Sequence, residues 1–448
     1  MSLRFLTAGE SHGPELTAIL EGMPAGLPVD LDALSLSMAR RQKGFGSGGR
    51  MRIERDAAII TAGVQKGRTT GAPIALTIRN RDFENWRDKD IAPMTIPRPG
   101  HADLSASLKY GYGDLRLALE RASARETAAR VAVGALCAQL LAAFDIEIGS
   151  YVVAIGDVEV RFDDRGDVPP NPEISRKRFM RAEADELRCP DPAASARMRA
   201  SIQDAIRERD TLGGVFEVVV LGLPPGLGSH VHWDRRLSGR LIGALASIQA
   251  IKGVELGPAF ENARRRGTQV HDRFVLEEGG AEAVDSGTSS NSSMSAASAS
   301  AAVSEPEPEP EPELAPAPGD SRIRRAGGRG GGIEGGITTG EPLLLRAAMK
   351  PISTTLTPLD SVDLATGETA HTQYERSDFC AVPRAAVVGE AMVAYVLADA
   401  LMEKLGGDSL QEMLPRFEAL PRGRLADLPM DDEVWCFGYG LEGGRSAE

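Results

Sequence analysis

The sequence predicts a mixed fold, α/β or α+β, and three observations point there. Short apolar runs rich in β-branched residues alternate with long Ala-rich stretches of helical pattern. No GxGxxG follows a first strand in a regular βαβ cadence, so a Rossmann domain is not expected. The chain has 448 residues, 42% of them hydrophobic, enough for a large core.

The elements follow in chain order. After GESHG, the run PELTAILEGMPAG alternates like a strand and ends in a Pro/Gly turn. Asp30 can accept from the first free amides of a helix running to about Arg41. Residues 57–62 (AAIITA) and 74–78 (IALTI) read as strands. From Arg121 to about Phe144 the pattern predicts one long Ala-rich helix. A strand at 215–221 (VFEVVVL), a helix at 234–250, a strand at 343–347 (LLLRA) and a helix at 384–405 complete the list. The small residues along these helices allow close approach to neighbours, so burial is expected. A charged motif leads into the Ala-rich stretch at both Arg121 and Arg384, a weak hint of a pseudo-repeat.

Composition excludes several classes. No apolar run approaches the roughly 18 residues of a membrane span, and MSLRFLTAGESHGPE has no secretory h-region. Cys137, Cys189, Cys380 and Cys436 lie far apart without a CxxC, which argues against a disulfide scaffold or Cys-rich zinc site. They suit a reducing, cytoplasmic setting. The net charge is −13, which disfavours indiscriminate nucleic-acid binding. That charge is unevenly spread. Residues 277–320 are made mainly of Ser, Ala, Glu and Pro around an EPEPEPEPE run, and contain ten acids, no aromatic residue and no Lys or Arg. Such a segment cannot bury enough apolar surface to offset its ordering entropy, so it is expected to be a disordered insertion. The rest of the chain has 54 acids against 51 bases, a charge of about −3.

Several segments carry candidate chemistry. Gly9-Glu10-Ser11-His12-Gly13 formally matches the GxSxG nucleophile elbow. Only eight residues precede it and no helix pattern follows, so a serine hydrolase is a minor alternative. His12, between glycines, reads better as an exposed titratable group. The segment 40–52 (RRQKGFGSGGRMR) packs arginines around glycines, which suits a small anionic ligand. No aromatic ladder accompanies it, so RNA is less favoured. His101, in RPGHAD, is a second loop histidine, and the two form a plausible acid/base pair. No HExxH or Cys/His cluster supports a metal. In ERASARETAAR, Arg121 and Arg125 would share a helix face at i, i+4, as would Ser123 and Thr127. The glycine-rich 326–340 and Met349-Lys350-Pro351-Ile352-Ser353-Thr354-Thr355 can cradle a phosphate, although no Walker A spacing is present. Asp378, just before a helix, reads locally as a helix cap or an active-site base.

Taken in order, GESHG, RRQKGFG, RPGHAD, ERASARET, IQAIKGVELG, GGIEGGITTGE, AMKPIST and ERSDFCAVP resemble the chorismate synthase family. The match is dense over residues 1–145 and 235–275 and resumes at 325–410. It implies an α+β fold, a β-α-β sandwich with helices between antiparallel sheets, in one compact catalytic domain (1–276 and 321–410). The insertion 277–320 and a C-terminal extension, 411–448, would complete the chain. It also implies a homotetramer and the last step of the shikimate pathway, in aromatic amino acid biosynthesis. In that step 5-enolpyruvylshikimate-3-phosphate loses phosphate and a C6 hydrogen by anti 1,4-elimination, giving chorismate, with reduced FMN required. NADPH is a candidate reductant.

Motif by motif, the resemblance implies that Arg41, Arg50, Arg125 and Arg376 clamp the substrate's anions. His101 would supply a proton to the departing phosphate. His12, supported by Ser11, would place a proton near the flavin. Asp378 would work with flavin N5, helped by Ser123. Flavin contacts carry over to Arg121, Ala122, Ser123, Gln249, Ala250, Gly335, Lys350, Pro351, Ile352, Ser353, Thr354 and Arg376. This chain departs from the family at Ser47, where an arginine is usual, with Lys43 and Arg52 as candidate replacements. It departs also at Arg324, where Asn is usual, and in a lengthened glycine-rich loop.

Overall fold

The computed structural model describes residues 2–46, 56–160, 162, 171–277, 321–375, 377–428 and 430–431. The chain divides into a main unit, 1–273 with 325–420, and a small one, 274–324 with 421–448.

The main unit contains two antiparallel sheets. The first orders its strands Arg4–Ala8, Glu15–Glu21, Ile74–Arg79 and Ala58–Ala62. The second runs Ile251–Leu256, Leu343–Met349, Gly214–Leu221, Glu147–Ile155 and Val158–Glu159. Helices Thr127–Ala142 and Val382–Leu405 lie between them, packed on each other. The former meets the first sheet and the latter the second. Both faces of each helix are therefore covered, which is why their sequences are apolar all round rather than striped. Small residues set how closely they pack. A Cβ on Gly134 would stand 2.4 Å from Ala391 Cα, and one on Gly389 would stand 2.6 Å from the Phe216 ring. The expected sandwich of helices between antiparallel sheets is thus present.

The four expected strands form, each with its bounds within one or two residues of those expected. Asp30 caps helix Leu31–Gln42, accepting from Asp32 N and Ala33 N. The expectation of one helix from Arg121 to Phe144 is corrected. Helix Arg116–Ala122 stops at Ser123, which is extended (φ −61°, ψ 139°), and a 3-10 turn, Ala124–Glu126, precedes helix Thr127–Ala142. Ser123 Oγ accepts from Arg125 N, and this local bond competes with continuation of the helix. Arg121 and Arg125 therefore do not share a face. Likewise, 234–250 is a 3-10 turn, Trp233–Arg235, followed by helix Leu237–Ala246.

The expected lack of any span-length apolar segment is also corrected. Helix Val382–Leu405 is long and apolar enough to cross a membrane by length and composition, but it is buried inside the protein. Buried Glu390 pairs there with Arg40 and Arg188, at 2.7 and 3.1 Å. Residues 411–420 pack with the main unit rather than as an extension, because helix Leu410–Glu418 buries Met413. In the small unit, strand Phe274–Glu277 pairs with Arg322–Arg325. Glu277, the first residue of the expected insertion, belongs to that strand. Residues 278–320 lie outside the described residues.

Candidate active site

A cavity of about 480 Å³ opens in the main unit. Its wall comes from the loop after the first strand, the loop at 98–102, the break around Ser123, residues 248–250 and 349–354, and the start of helix Val382–Leu405. The folding break at Ser123 has a functional consequence. It places Ala122, Ser123, Ala124 and Arg125 in the wall, where a continuous helix would have rotated them away in turn.

His12 is held by three kinds of contact. Gly9 adopts φ +107°, and a Cβ there would fall 2.5 Å from Glu15 O, so the turn presenting Ser11 and His12 requires glycine. Ser11 N donates to Glu120 O at 3.0 Å, and Asn80 Nδ2 donates to Gly13 O at 2.8 Å, fixing the loop. The Glu120 carboxylate then receives the His12 backbone N–H at 2.7 Å and sits 2.6 Å from His12 Nδ1. Burial works against its ionisation, yet its bonds to His12 hold Glu120 below the usual carboxylate range. It therefore acts as acceptor, and Nδ1 of His12 is the protonated donor. Trp86 lies against the imidazole, ring centres 4.2 Å apart.

His101 has a matching arrangement. Its Nδ1 lies 2.5 Å from Asp103 Oδ1, and Asp103 is fully buried. Arg98 donates through Nε to Asp103 Oδ2 at 2.8 Å and through Nη2 to Oδ1 at 3.0 Å. Although burial opposes ionisation, bonds from His101 and Arg98 hold the Asp103 carboxyl far below its ordinary value. In both histidines a carboxylate holds Nδ1 and so orients the ring, and Arg98 Nη2 also stands 3.0 Å from His101 Nδ1 and 3.4 Å from its Nε2.

Two buried arginines face the same space. Arg41 donates to Asp56 Oδ2 at 3.1 Å and to Thr127 Oγ1 at 3.1 Å, while Arg125 Nη1 lies 3.1 Å from Asp56 Oδ1. One buried carboxylate thus bridges two guanidinium groups on the cavity wall, and guanidinium groups held in this way suit an anionic ligand. On another wall stand Lys350, Ser353 and Thr354. Burial first, then the nearby Lys252 charge, lowers the Lys350 ammonium below its ordinary value, so an anion bound there would be favoured.

Asp378 is not a helix cap: helix Val382–Leu405 has Ala381 at its N-cap, with no side-chain bond. Its carboxylate instead meets Arg384 Nη1 at 2.5 Å and lines the cavity. The elbow reading of Ser11 fails on local structure. Strand Glu15–Glu21 follows where an elbow needs a helix, and Ser11 Oγ donates to Ser123 Oγ at 3.0 Å.

Of the expected site residues, Ser11, His12, Arg41, His101, Ala122, Ser123, Arg125, Gln249, Ala250, Lys350, Ile352, Ser353, Thr354 and Asp378 line this one cavity. Arg121, Pro351 and Gly335 do not. Arg121 reaches back to Thr7 O at 2.8 Å, and Gly335 occupies the turn between Ile333–Glu334 and Ile337–Thr338. Lys43 is exposed at the end of its helix and is also absent from the cavity wall. Arg50, Arg376, Ser47 and Arg52 lie outside the described residues. The lengthened glycine-rich loop is anchored by buried Arg329, which donates to Asn262 Oδ1 at 2.9 Å. Glu120, Asp103, Arg98, Asp56, Trp86 and Arg384 were missed as site residues. Asp103 and Arg98 lie inside the RPGHAD motif itself, so the signal was present.

Residues 3–402 match the family model described as chorismate synthase. The chain is 50% identical over 425 residues to the chorismate synthase of Aquifex aeolicus, covering 93% of this chain and 96% of that protein. It is 50% identical over 421 residues to that of Trichlorobacter lovleyi, with 92% and 96% covered. A solved structure titled as a crystal structure of chorismate synthase superposes with a TM-score of 0.69 at 43% identity, covering 93% of this chain and 97% of that one. The chain belongs to the chorismate synthase family.

Proposed function

We propose that this enzyme converts 5-enolpyruvylshikimate-3-phosphate to chorismate and phosphate by anti 1,4-elimination in the shikimate pathway, with reduced FMN bound beside the substrate. The observation that carries this reading is the pair of carboxylate-held histidines facing one cavity that also presents Arg41 and Arg125. A substrate with two carboxylates and a phosphate needs cationic donors held in place before it arrives, and Asp56 holds two of them.

The residues fit a flavin. Gln249 Oε1 is a buried acceptor with no hydrogen-bond partner among the described residues, matching the imide N–H of an isoalloxazine. Lys350, Ser353 and Thr354 would hold the flavin phosphate, and Ala122, Ser123, Ala250 and Ile352 would flank the ring. Bound reduced FMN would supply a reversible electron without net redox change. His101 Nε2 delivers a proton to the departing phosphate, since phosphate leaves more easily as the protonated form. Ionised Asp103 stabilises the imidazolium before that transfer. His12 exchanges a proton through Nε2 at the cofactor side, its Nδ1–H held by Glu120. Asp378, kept in place by Arg384, offers a carboxylate oxygen for the proton that leaves the substrate.

Anaerobic incubation with the substrate and reduced FMN should release phosphate and form chorismate. Folded protein that releases none would overturn the reading. The same assay with NADPH and oxidised FMN asks whether the enzyme reduces its own flavin. A homotetramer is supported by exposed Leu6, Ile19 and Ile59 on one face of the first sheet, and light scattering checks it. A cytoplasmic location accords with the free, buried Cys137, Cys189 and Cys380.

A further inference from the structure

We propose that Arg384 is a ligand-binding residue, using one edge of its guanidinium to fix Asp378 and the other to donate to an oxygen of the bound ligand. The inference rests on the cavity's being the site described above. Arg384 lies in the first turn of helix Val382–Leu405, where the backbone dipole is positive and a cation is disfavoured. Its place there calls for compensating acceptors. Asp378 supplies one, through Nη1 at 2.5 Å. Nη2 is buried and has no hydrogen-bond partner among the described residues. The side chain is only 14% exposed, and the residue lines the cavity together with Ala381, Ala385 and Val388 of the same helix. These neighbours are apolar, so nothing on the helix face can satisfy the second nitrogen. A buried donor without an acceptor is costly, and an oxygen arriving with the ligand would remove that cost.

Asp378 already balances the charge, so the need is for an acceptor in the right direction rather than for another anion. A guanidinium can serve two acceptors at once from its rigid fork, whereas a lysine in the same place could follow only one. The shared chemistry is an oxygen acceptor, either a ring carbonyl of the flavin or a carboxylate of the substrate. The two sources can be separated because the substrate does not turn over without reduced flavin.

The test titrates Arg384→Met and Arg384→Lys against oxidised FMN alone, by fluorescence quenching. It also titrates them against the substrate alone, by calorimetry. Both variants are expected to weaken one ligand about tenfold or more while the other stays within about twofold. Weakened FMN identifies the ring, and weakened substrate identifies the carboxylate. If Arg384→Lys, which keeps the ion pair to Asp378, binds both ligands like the wild type, the proposal is overturned. That variant decides the matter even if Arg384→Met fails to fold. Wild-type protein that binds neither ligand would refute the site reading itself, a different outcome from variants that bind normally.

Discussion

Glu120 Oε1 lies 2.6 Å from His12 Nδ1 and its second oxygen accepts the His12 backbone N–H at 2.7 Å, so one carboxylate fixes both the ring and the chain that carries it. Glu120→Gln keeps the shape but can present an N–H toward Nδ1. The ring would then favour the other tautomer, with its proton on Nε2. Turnover should fall on the order of 10²-fold, within the range for loss of a positioned acid or base. The substrate's KM should change little, since the anion clamp is untouched. A large KM change with normal kcat would show that Glu120 serves binding instead.

Asp103 makes a parallel prediction for His101, with a second readout in stability. Its folded-state carboxyl is held below the unfolded value near 3.9 by His101 and Arg98. A depressed carboxylate contributes stability that is present above the unfolded value and is lost as pH falls through the folded one. The wild type should therefore lose thermal stability progressively from about pH 5 downward, and Asp103→Asn should show a shallower acid dependence. Melting temperatures of both proteins across pH 3 to 7 check this. Parallel curves would assign acid sensitivity to other groups, such as Glu183, also lowered by its arginine partners.

These two carboxylates also mark where sequence reading stops. His12 and His101 were legible, because a histidine among glycines in an apolar-poor loop invites a titratable role. Glu120 was not legible as a site residue. Its real partner is 108 residues away, and nothing local specifies that pairing. Ser123 shows the opposite difficulty. The Ala-rich pattern from 121 to 144 is helical on periodicity, and one side-chain bond to Arg125 N breaks it. The strands and the two central helices were readable because their burial is written as apolar runs. The junctions that build the cavity depend on single polar contacts, which periodicity does not record.

Asp56 is the common anchor of Arg41 and Arg125, and it is itself buried. Asp56→Asn would leave two buried guanidinium groups with one charge fewer between them. Removing one partner of a buried ionic cluster costs about 3–5 kcal/mol, so the melting temperature should drop clearly. Substrate should partly restore it, because its anions supply the missing charge. A thermal shift in the variant larger than in the wild type at saturating substrate is the expected result. Equal shifts would mean that the arginines do not meet the substrate.

Gly134 provides a test of the fold alone. In an ordinary helix interior, replacing glycine by alanine stabilises by about 1 kcal/mol. Here the added Cβ would stand 2.4 Å from both Cα and Cβ of Ala391 and 2.6 Å from its carbonyl oxygen, with backbone on the far side. None of these three atoms belongs to a flexible side chain that could swing aside. The two central helices must then separate, and the first sheet and second sheet would have to follow the helices they cover. Overpacking of this kind costs about 1–3 kcal/mol, so the sign of the usual glycine-to-alanine effect should reverse. Chemical denaturation of Gly134→Ala should show a lower midpoint at unchanged slope. A midpoint equal to or above that of the wild type would mean that the helices are not in the close contact described.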